Sequence, residues 1–303
     1  MIDPTLPEFL VGVGIFLLFV LLLSEIVDGV DMFSMESCGY SNSISFGYDN
    51  ENGPHKWKLL FPESDGCSQS PINIVTRLAV VLQSSEPLKW SGYRSQPTSM
   101  SLENDGNSVM VTGVWSGGAV PNVTKGPLND TYNFHSMIFH WGPANDEGSE
   151  HTMDYIKYTM ELQMVHVKKC YTSPKDPSLL HTRDAVAIIS YFLQITNVDN
   201  PYLDHIVTNL WRITKTGTKV SIPPFPLEWL YPPFECSYYS YNGSLTQPPC
   251  TEMVTWIIQP EPIAVSSFQV AQFRKIRSVN GNRILLNTRP VQKLYDREVY
   301  FYD

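Results

Sequence analysis

The first 55 residues of this 303-residue chain contain no lysine or arginine. They carry eight acidic residues: Asp3, Glu8, Glu25, Asp28, Asp31, Glu36, Asp49 and Glu51. Because the whole chain has 30 acids and 21 bases, the part after residue 55 has 22 acids against 21 bases and is nearly neutral. It also lacks any run of basic residues. Nucleic acid, heparin-like polymers and anionic lipid are therefore not expected as partners.

Cysteines are few, and none of them forms the CxxC pairs of zinc-binding motifs. The five are Cys38, Cys67, Cys170, Cys236 and Cys250. From about residue 46 onward the chain also lacks internal repeats and low-complexity tracts. With 43% hydrophobic and 12% aromatic residues it can bury a large core. A disulfide-dense miniprotein and a disordered chain are both excluded.

An apolar segment, FLVGVGIFLLFVLLLS at residues 9–24, contains no charged residue. As a helix it would be about 24 Å long, slightly shorter than the roughly 30 Å hydrocarbon core of a bilayer. A cleaved signal peptide is the alternative, but a positively charged first part and a small-residue cleavage site are both missing. We predict a transmembrane anchor or signal-anchor helix over 9–30, in contact with the lipid bilayer through 9–24. A short tail (1–8) precedes it and an acidic linker (31–45) follows it.

Three N-x-S/T sequons, at Asn122, Asn129 and Asn242, favour export of the main domain to an oxidising compartment. We expect Asn242 to be too enclosed for a glycan, which leaves Asn122 and Asn129 as acceptors. The predicted location is a membrane, with a single span and the main domain on the extracellular or lumenal side. A mitochondrial inner-membrane protein that faces the intermembrane space is the alternative.

Short runs rich in β-branched and aromatic residues dominate the rest of the chain and predict strands. They cover residues 108–115, 135–141, 158–167, 185–195, 252–259 and 297–302. Helices are predicted only over 200–213, where Asn200 can cap, and over 266–276. The predicted fold is a single mainly β (α+β) domain over 46–303, in which a large, mostly antiparallel sheet carries short surface helices.

Nine ordered sequence blocks resemble the alpha-class carbonic anhydrases over about residues 46–302. They are GYDNENGPHKW (47–57), QSPINI (69–74), KGPLNDTY (125–132), FHWG (139–142), GSEHTMD (148–154), YTMELQMVH (158–166), YNGSLTQPPCTE (241–252), PIAVSSFQVAQFRKI (262–276) and NTRPVQ (287–292). The resemblance implies a large twisted sheet of about ten strands. It also implies carbon dioxide hydration at a zinc ion held by three histidines.

The resemblance places the three zinc ligands at Ile138, His140 and Gln163, so that only one histidine is kept. Isoleucine has no lone pair, and an amide oxygen is a poor zinc ligand beside imidazole. We therefore expect no zinc and no other cofactor. His135 and His166 lie at odd offsets from these positions, and in regular strands they face the other way unless a bulge intervenes. The resemblance makes His151 structural.

Other positions of the family's site are partly kept. The proton-shuttle histidine corresponds to Asn107, which cannot titrate near neutral pH, and a small pocket valine corresponds to the larger Ile188. Thr246 and Glu150 resemble the pair that orients zinc-bound hydroxide. Glu161 resembles the carboxylate that holds a zinc histidine.

The resemblance also implies a disulfide between Cys67 and Cys250, as in secreted and membrane-bound members of the family. The sequence leaves the remaining cysteines open. Cys170 can pair with Cys236, and Cys38 can be free or can bridge to a partner.

The function predicted from these features is a membrane-anchored, catalytically inactive carbonic anhydrase-related domain that binds or assembles other membrane, extracellular or lumenal proteins. Two alternatives stay open. One is a divergent zinc carbonic anhydrase or a related hydrolase. The other is a small-ligand binder that uses the active-site cone of the family, vacated by the metal. Its polar contacts would be Thr246, Gln247, Gln163 and His140.

Overall fold

The computed structural model describes residues 45–83, 86–174 and 182–303. Residues Phe46–Asp303 form one compact unit. The predicted tail and anchor, and all but the last residue of the predicted linker, lie outside the described residues.

Strands make up most of the regular structure. They are β1 Asn73–Ile74, β2 Val80–Leu82, β3 Lys89–Ser91, β4 Ser99–Asn104, β5 Val109–Val114, β6 Asn122–Thr124, β7 Tyr132–Trp141, β8 Thr152–Met153, β9 Met160–Lys168, β10 Val186–Thr196, β11 Lys219–Ile222, β12 Tyr238–Gly243, β13 Val254–Ser266 and β14 Tyr300–Tyr302. All six predicted runs are strands. The short strands near turns were missed because two or three residues show no periodicity.

Twelve strands form one large sheet, and β1 and β8 form a separate parallel pair. The main path runs β11-β4-β5-β7-β9-β10-β13-β12-β14-β2, and β3 and β6 join beside β7. Antiparallel pairs predominate, but β10 runs parallel to β13, and β14 runs parallel to β2. The prediction of a mostly antiparallel sheet is thereby confirmed, and the predicted number of about ten strands is corrected to twelve in one mixed sheet.

Helices are short and few among the described residues. The α-helices are α1 Pro54–Leu60, α2 Asp204–Val207 and α3 Ser267–Phe273. The 3-10 turns are Pro62–Asp65, Thr76–Leu78, Ser116–Gly118, Pro201–Leu203, Leu210–Ile213 and Leu227–Trp229. Predicted helix 266–276 is confirmed as α3, which begins with a capping box made by Ser266 and Gln269. Predicted helix 200–213 is instead three short turns, the first capped by Asn200.

The two faces of the central sheet have different roles. Alternate residues of β7 and β9, such as Met137, Phe139 and Leu162, enter the main hydrophobic core. The intervening residues face the opposite side, where Val165 and Ile188 belong to a smaller apolar cluster. Because side chains alternate along a strand, the positions of the predicted zinc ligands all fall on this second face.

The predicted membrane location is corrected. In the part of the chain that the structure describes, no helix is long and apolar enough to cross a bilayer.

The buried guanidinium of Arg289 holds the segment at residues 64–70, which follows α1. Arg289 donates to Gln69 Oε1 at 2.8 Å and to the carbonyl oxygens of Ser70 and Ser64 at 2.8 and 3.0 Å. It also lies over the ring of Trp57. Each of these buried acceptors would lose its partner if the guanidinium were removed.

We expect Arg289→Met to lower the free energy of unfolding by about 3 kcal/mol, because buried acceptors are left without donors. Urea denaturation followed by tryptophan fluorescence measures the loss. Arg212→Met, at an exposed arginine bonded to Asn209 and Ser221, is the matched control and should cost less than about 1 kcal/mol. Equal losses in both variants would contradict the anchoring role of Arg289.

Candidate active site and its relatives

The register between β7 and β9 brings the predicted ligand positions together. Ile138 lies directly opposite Gln163, and His140 lies directly opposite Glu161. On the other side of β9, Gln163 faces Ser190 of β10. Three neighbouring strands thus form the base of one site.

A cavity of about 490 Å³ opens over this base. Its described lining comprises Glu103, Asp105, Met110, His135, Ser136, Ile138, Gln163, Val165, Pro174, Ile188, Leu245, Thr246, Gln247, Pro248, Pro249, Thr251 and Met253. Of the residues predicted from the resemblance, Ile138, Gln163, Ile188 and Thr246 therefore line one pocket. Asn107 does not belong to this lining.

Glu161 is fully buried and accepts five hydrogen bonds. The backbone N–H groups of Glu150 and His151 donate to Oε2 at 2.9 and 2.8 Å. His151 Nδ1, Gln163 Nε2 and Ser190 Oγ contact Oε1 at 2.9, 3.0 and 2.8 Å. Burial alone raises the pKa of this carboxyl, but its contacts with His151 and the nearby His140 outweigh burial and lower the pKa to about 2.

Gln163 joins two carboxylates through its amide nitrogen. Nε2 donates to Glu150 Oε2 at 2.8 Å as well as to Glu161 Oε1. The other oxygen of Glu150, Oε1, accepts from the backbone N–H of Arg289 at 2.8 Å. Between the described residues Thr246 and Glu150 there is no hydrogen bond. The pair that the resemblance predicts to orient hydroxide is therefore not connected here, and Glu150 Oε2 accepts from the amide of Gln163.

His140 is buried, and the tautomer of its ring is determined by a backbone carbonyl. Nδ1 lies 2.8 Å from the carbonyl oxygen of Asn287, which can only accept, so Nδ1 carries the proton. Nε2 is the ring nitrogen that faces Glu150. It has no hydrogen-bond partner among the described residues, and Glu150 Oε2 lies 3.5 Å from it.

A zinc ion does not fit the donor set at this site. A catalytic zinc needs three protein ligands. His140 offers one lone pair, Ile138 offers none, and the amide nitrogen of Gln163 is a donor bound to two carboxylates. Across residues 45–83, 86–174 and 182–303, no group of three or more His, Cys, Asp or Glu side chains is arranged to hold a metal ion.

The other histidines are placed differently from one another. His166 is buried on the core face, where its Nε2 bonds the Tyr93 hydroxyl, and burial lowers its pKa to about 3. His151 is structural and connects Glu161 to the hydroxyl of Tyr241, 2.7 Å from its Nε2. The expectation that His135 faces away was wrong. A register shift between Phe134 and Ser136 turns His135 into the cavity lining.

Residues 52–303 match the family model for eukaryotic-type carbonic anhydrase. The chain belongs to this carbonic anhydrase family. It is 37% identical over 260 residues to carbonic anhydrase 7 from Homo sapiens, an alignment that covers 84% of this chain and 96% of that protein. It is 36% identical over 265 residues to carbonic anhydrase 1 from Monodelphis domestica, with 85% and 97% covered.

The disulfide expected for exported members of the carbonic anhydrase family is not formed in this structure. Cys67 is an exposed free thiol, and Cys250 is a buried one. Burial raises the pKa of Cys250 to about 12, so its thiol is protonated at neutral pH. Cys170 and Cys236 are also free, and Cys38 lies outside the described residues.

The predicted glycan acceptors differ in access. Asn129 is exposed, but its amide bonds Asp184 and Tyr132. Asn122 is half-buried in β6. The expectation that Asn242 is enclosed was wrong, since it is exposed on β12.

Sequence reasoning missed three residues that build the site. Ser190 holds Glu161, the carbonyl of Asn287 orients His140, and the backbone of Arg289 holds Glu150. Two of them lie in the block NTRPVQ, so the resemblance contained a signal for them. The third residue, Ser190, could have been found because it is a hydroxyl inside an apolar strand, and a buried hydroxyl needs a polar partner.

The pKa of Glu161 predicts an acid-sensitive fold. Because the folded-state pKa lies below the unfolded value of about 4.5, the ionised carboxylate stabilises the protein above that pH. The stabilisation, about 3 kcal/mol, is lost as the pH falls from about 4.5 towards 2. Urea denaturation across this range measures the loss. Glu161→Gln should be less stable at neutral pH and should show a smaller loss on acidification.

Glu147→Gln, at an exposed carboxylate, is the control and should follow the wild-type pH dependence. If Glu161→Gln and the wild-type protein lose stability in parallel, another group is responsible.

Proposed function

We propose that this carbonic anhydrase-family domain functions without zinc and binds a small organic ligand in the cavity over β7, β9 and β10, here called the cone. The single observation behind this proposal is that Ile138 and Gln163, at two of the three ligand positions, line a cavity of about 490 Å³. Cavities of this size accommodate small organic molecules. The cavity favours a small-ligand binder over the assembly role predicted from the sequence.

The floor of the cone supports binding more than hydration. Ile138 and Ile188 present methyl groups where the family places a metal ligand and a smaller pocket residue. Without a metal, water has a pKa near 15.7 in place of about 7, so hydroxide is scarce at neutral pH. Thr246 and Glu150, which would orient such a nucleophile as a hydrogen-bonded pair, are not bonded to each other.

A zinc carbonic anhydrase is the second candidate, and specific observations favour it. The relatives in the comparisons carry the name carbonic anhydrase. Nδ1 of His140 donates to a backbone carbonyl, as in a metal-binding histidine, and Nε2 has no hydrogen-bond partner among the described residues. Glu150, Glu161 and Thr246 are all kept. One histidine ligand is too few to hold zinc in competition with cellular chelators.

Metal content and carbon dioxide hydration distinguish the two candidates. We expect the wild-type protein to contain well under one equivalent of zinc after dialysis against a zinc buffer, and to hydrate carbon dioxide no faster than the uncatalysed rate. Mass spectrometry and stopped-flow pH indicators measure these quantities. Ile138→His combined with Gln163→His completes three histidines and should bind about one equivalent of zinc.

The same double variant with His140→Ala is the matched control and should lose zinc again. About one equivalent of zinc in the wild-type protein, together with hydration that a sulfonamide blocks, would establish the second candidate. Failure of the double variant to bind zinc would show that Glu161 no longer orients a histidine at position 163.

A further inference from the structure

We propose that the ligand of the cone is an organic cation, an ammonium group carried on an apolar body. This inference rests on the proposed function and adds the chemical class of the ligand. Three features of the cone lead to it: its apolar wall, the sign of the charges around it, and the polar atom that Gln163 has left to offer.

An apolar body matches the wall of the cavity. Met110, Val165, Ile188, Leu245 and Met253 supply hydrophobic side chains on several sides. Burying apolar ligand surface against them contributes about 25 cal/mol per Å² before the costs of association. A small polar ion alone would leave this surface unused.

The lining has more acidic than basic side chains. Glu103 and Asp105 belong to it, His135 is its basic member, and none of its described members is lysine or arginine. One Asp105 oxygen, Oδ1, accepts the N–H groups of Asn107 and Ser108. Lys219 is the cation at this rim, and it bonds Glu103 at 3.2 Å from a partly exposed position. The rim therefore attracts a cation and repels an anion.

Two further carboxylates lie behind the floor. Glu150 and Glu161 both accept from the Gln163 amide. His151 Nδ1 lies 2.9 Å from Glu161 Oε1, and His140 Nε2 lies 3.5 Å from Glu150 Oε2. The guanidinium of Arg289 is directed to Gln69, Ser70 and Ser64. In an active relative a zinc ion would add two positive charges at this point. Isoleucine and glutamine at two of the ligand positions do not hold such an ion, so no metal charge opposes the negative field of the carboxylates.

The remaining polar atom of Gln163 is an acceptor. Because Nε2 is bound to both carboxylates, Oε1 is left, and no described residue hydrogen-bonds to it. An amide oxygen accepts from an ammonium N–H, whereas a carboxylate has no hydrogen to donate to it. The donor and acceptor pattern at the floor thus selects the same head group as the charges.

Three probes with similar bodies test the head group: 4-phenylbutylamine, 4-phenylbutan-1-ol and 4-phenylbutanoate. Isothermal titration calorimetry of the full chain at neutral pH and low salt should give the tightest binding for the amine, about tenfold tighter than for the carboxylate, with the alcohol between them. Added salt should weaken binding of the amine and leave binding of the alcohol nearly unchanged, because salt screens only charged groups.

Rim variants test the cause. Glu103→Gln should weaken amine binding about threefold, and Lys219→Gln should strengthen it by a similar factor, with the alcohol unaffected by either. Lys275→Gln, at an exposed residue just after α3, is the matched control and should change nothing. Leu245→Trp should block all three probes if they occupy the cone, and circular dichroism reports whether this variant folds.

The outcomes separate the two proposals. If no probe binds, or if Leu245→Trp folds and leaves binding intact, the ligand-binding function itself is refuted. If the carboxylate binds as tightly as the amine, or if the two rim variants have no opposite effects, binding stands and the cation preference is refuted.

Discussion

Glu161 is the residue on which the site depends. Its buried carboxylate accepts two backbone N–H groups from the turn before β8, the imidazole of His151, the amide of Gln163 and the hydroxyl of Ser190. These bonds join β9 to β10 and to the turn at residues 149–151. A buried carboxylate is tolerated only when such donors surround it. The donors are held by the sheet register, so the carboxylate and the strand pairing support each other.

This arrangement accommodates isoleucine and glutamine at positions 138 and 163, where the family's pattern has histidines. In the family's pattern Glu161 holds a zinc histidine at position 163. Here glutamine offers an N–H donor to the same oxygen and adds a second bond to Glu150. Both N–H bonds of that amide nitrogen have carboxylate acceptors, whereas Nε2 of the neighbouring His140 has no hydrogen-bond partner among the described residues. Glu150 Oε2 thus accepts from Gln163, and no hydrogen bond joins the described residues Glu150 and Thr246.

Much of the fold and of the site was predictable because alternation and ordered motifs determine the strands. The placement of Ile138 and Gln163 on one face followed from their positions in β7 and β9. The side of the sheet on which His135 lies could not be predicted, because a bulge leaves no signal in a short apolar run. Neither could the break-up of residues 200–213, where the short helix α2 between two 3-10 turns replaces a continuous helix. The new partner of Glu150 was also beyond prediction, since it depends on the rotamer of Gln163.

The sign of the field in the cone follows from the same substitutions. Carboxylates around a metal site are balanced by the charge of the metal, and they are retained in this chain although the donor set no longer fits one. A scaffold that selects anions through its metal would then select cations through the remaining carboxylates, with no change of fold. On the proposal above, the same walls and the same buried acids favour a cationic ligand where the family's pattern has a metal.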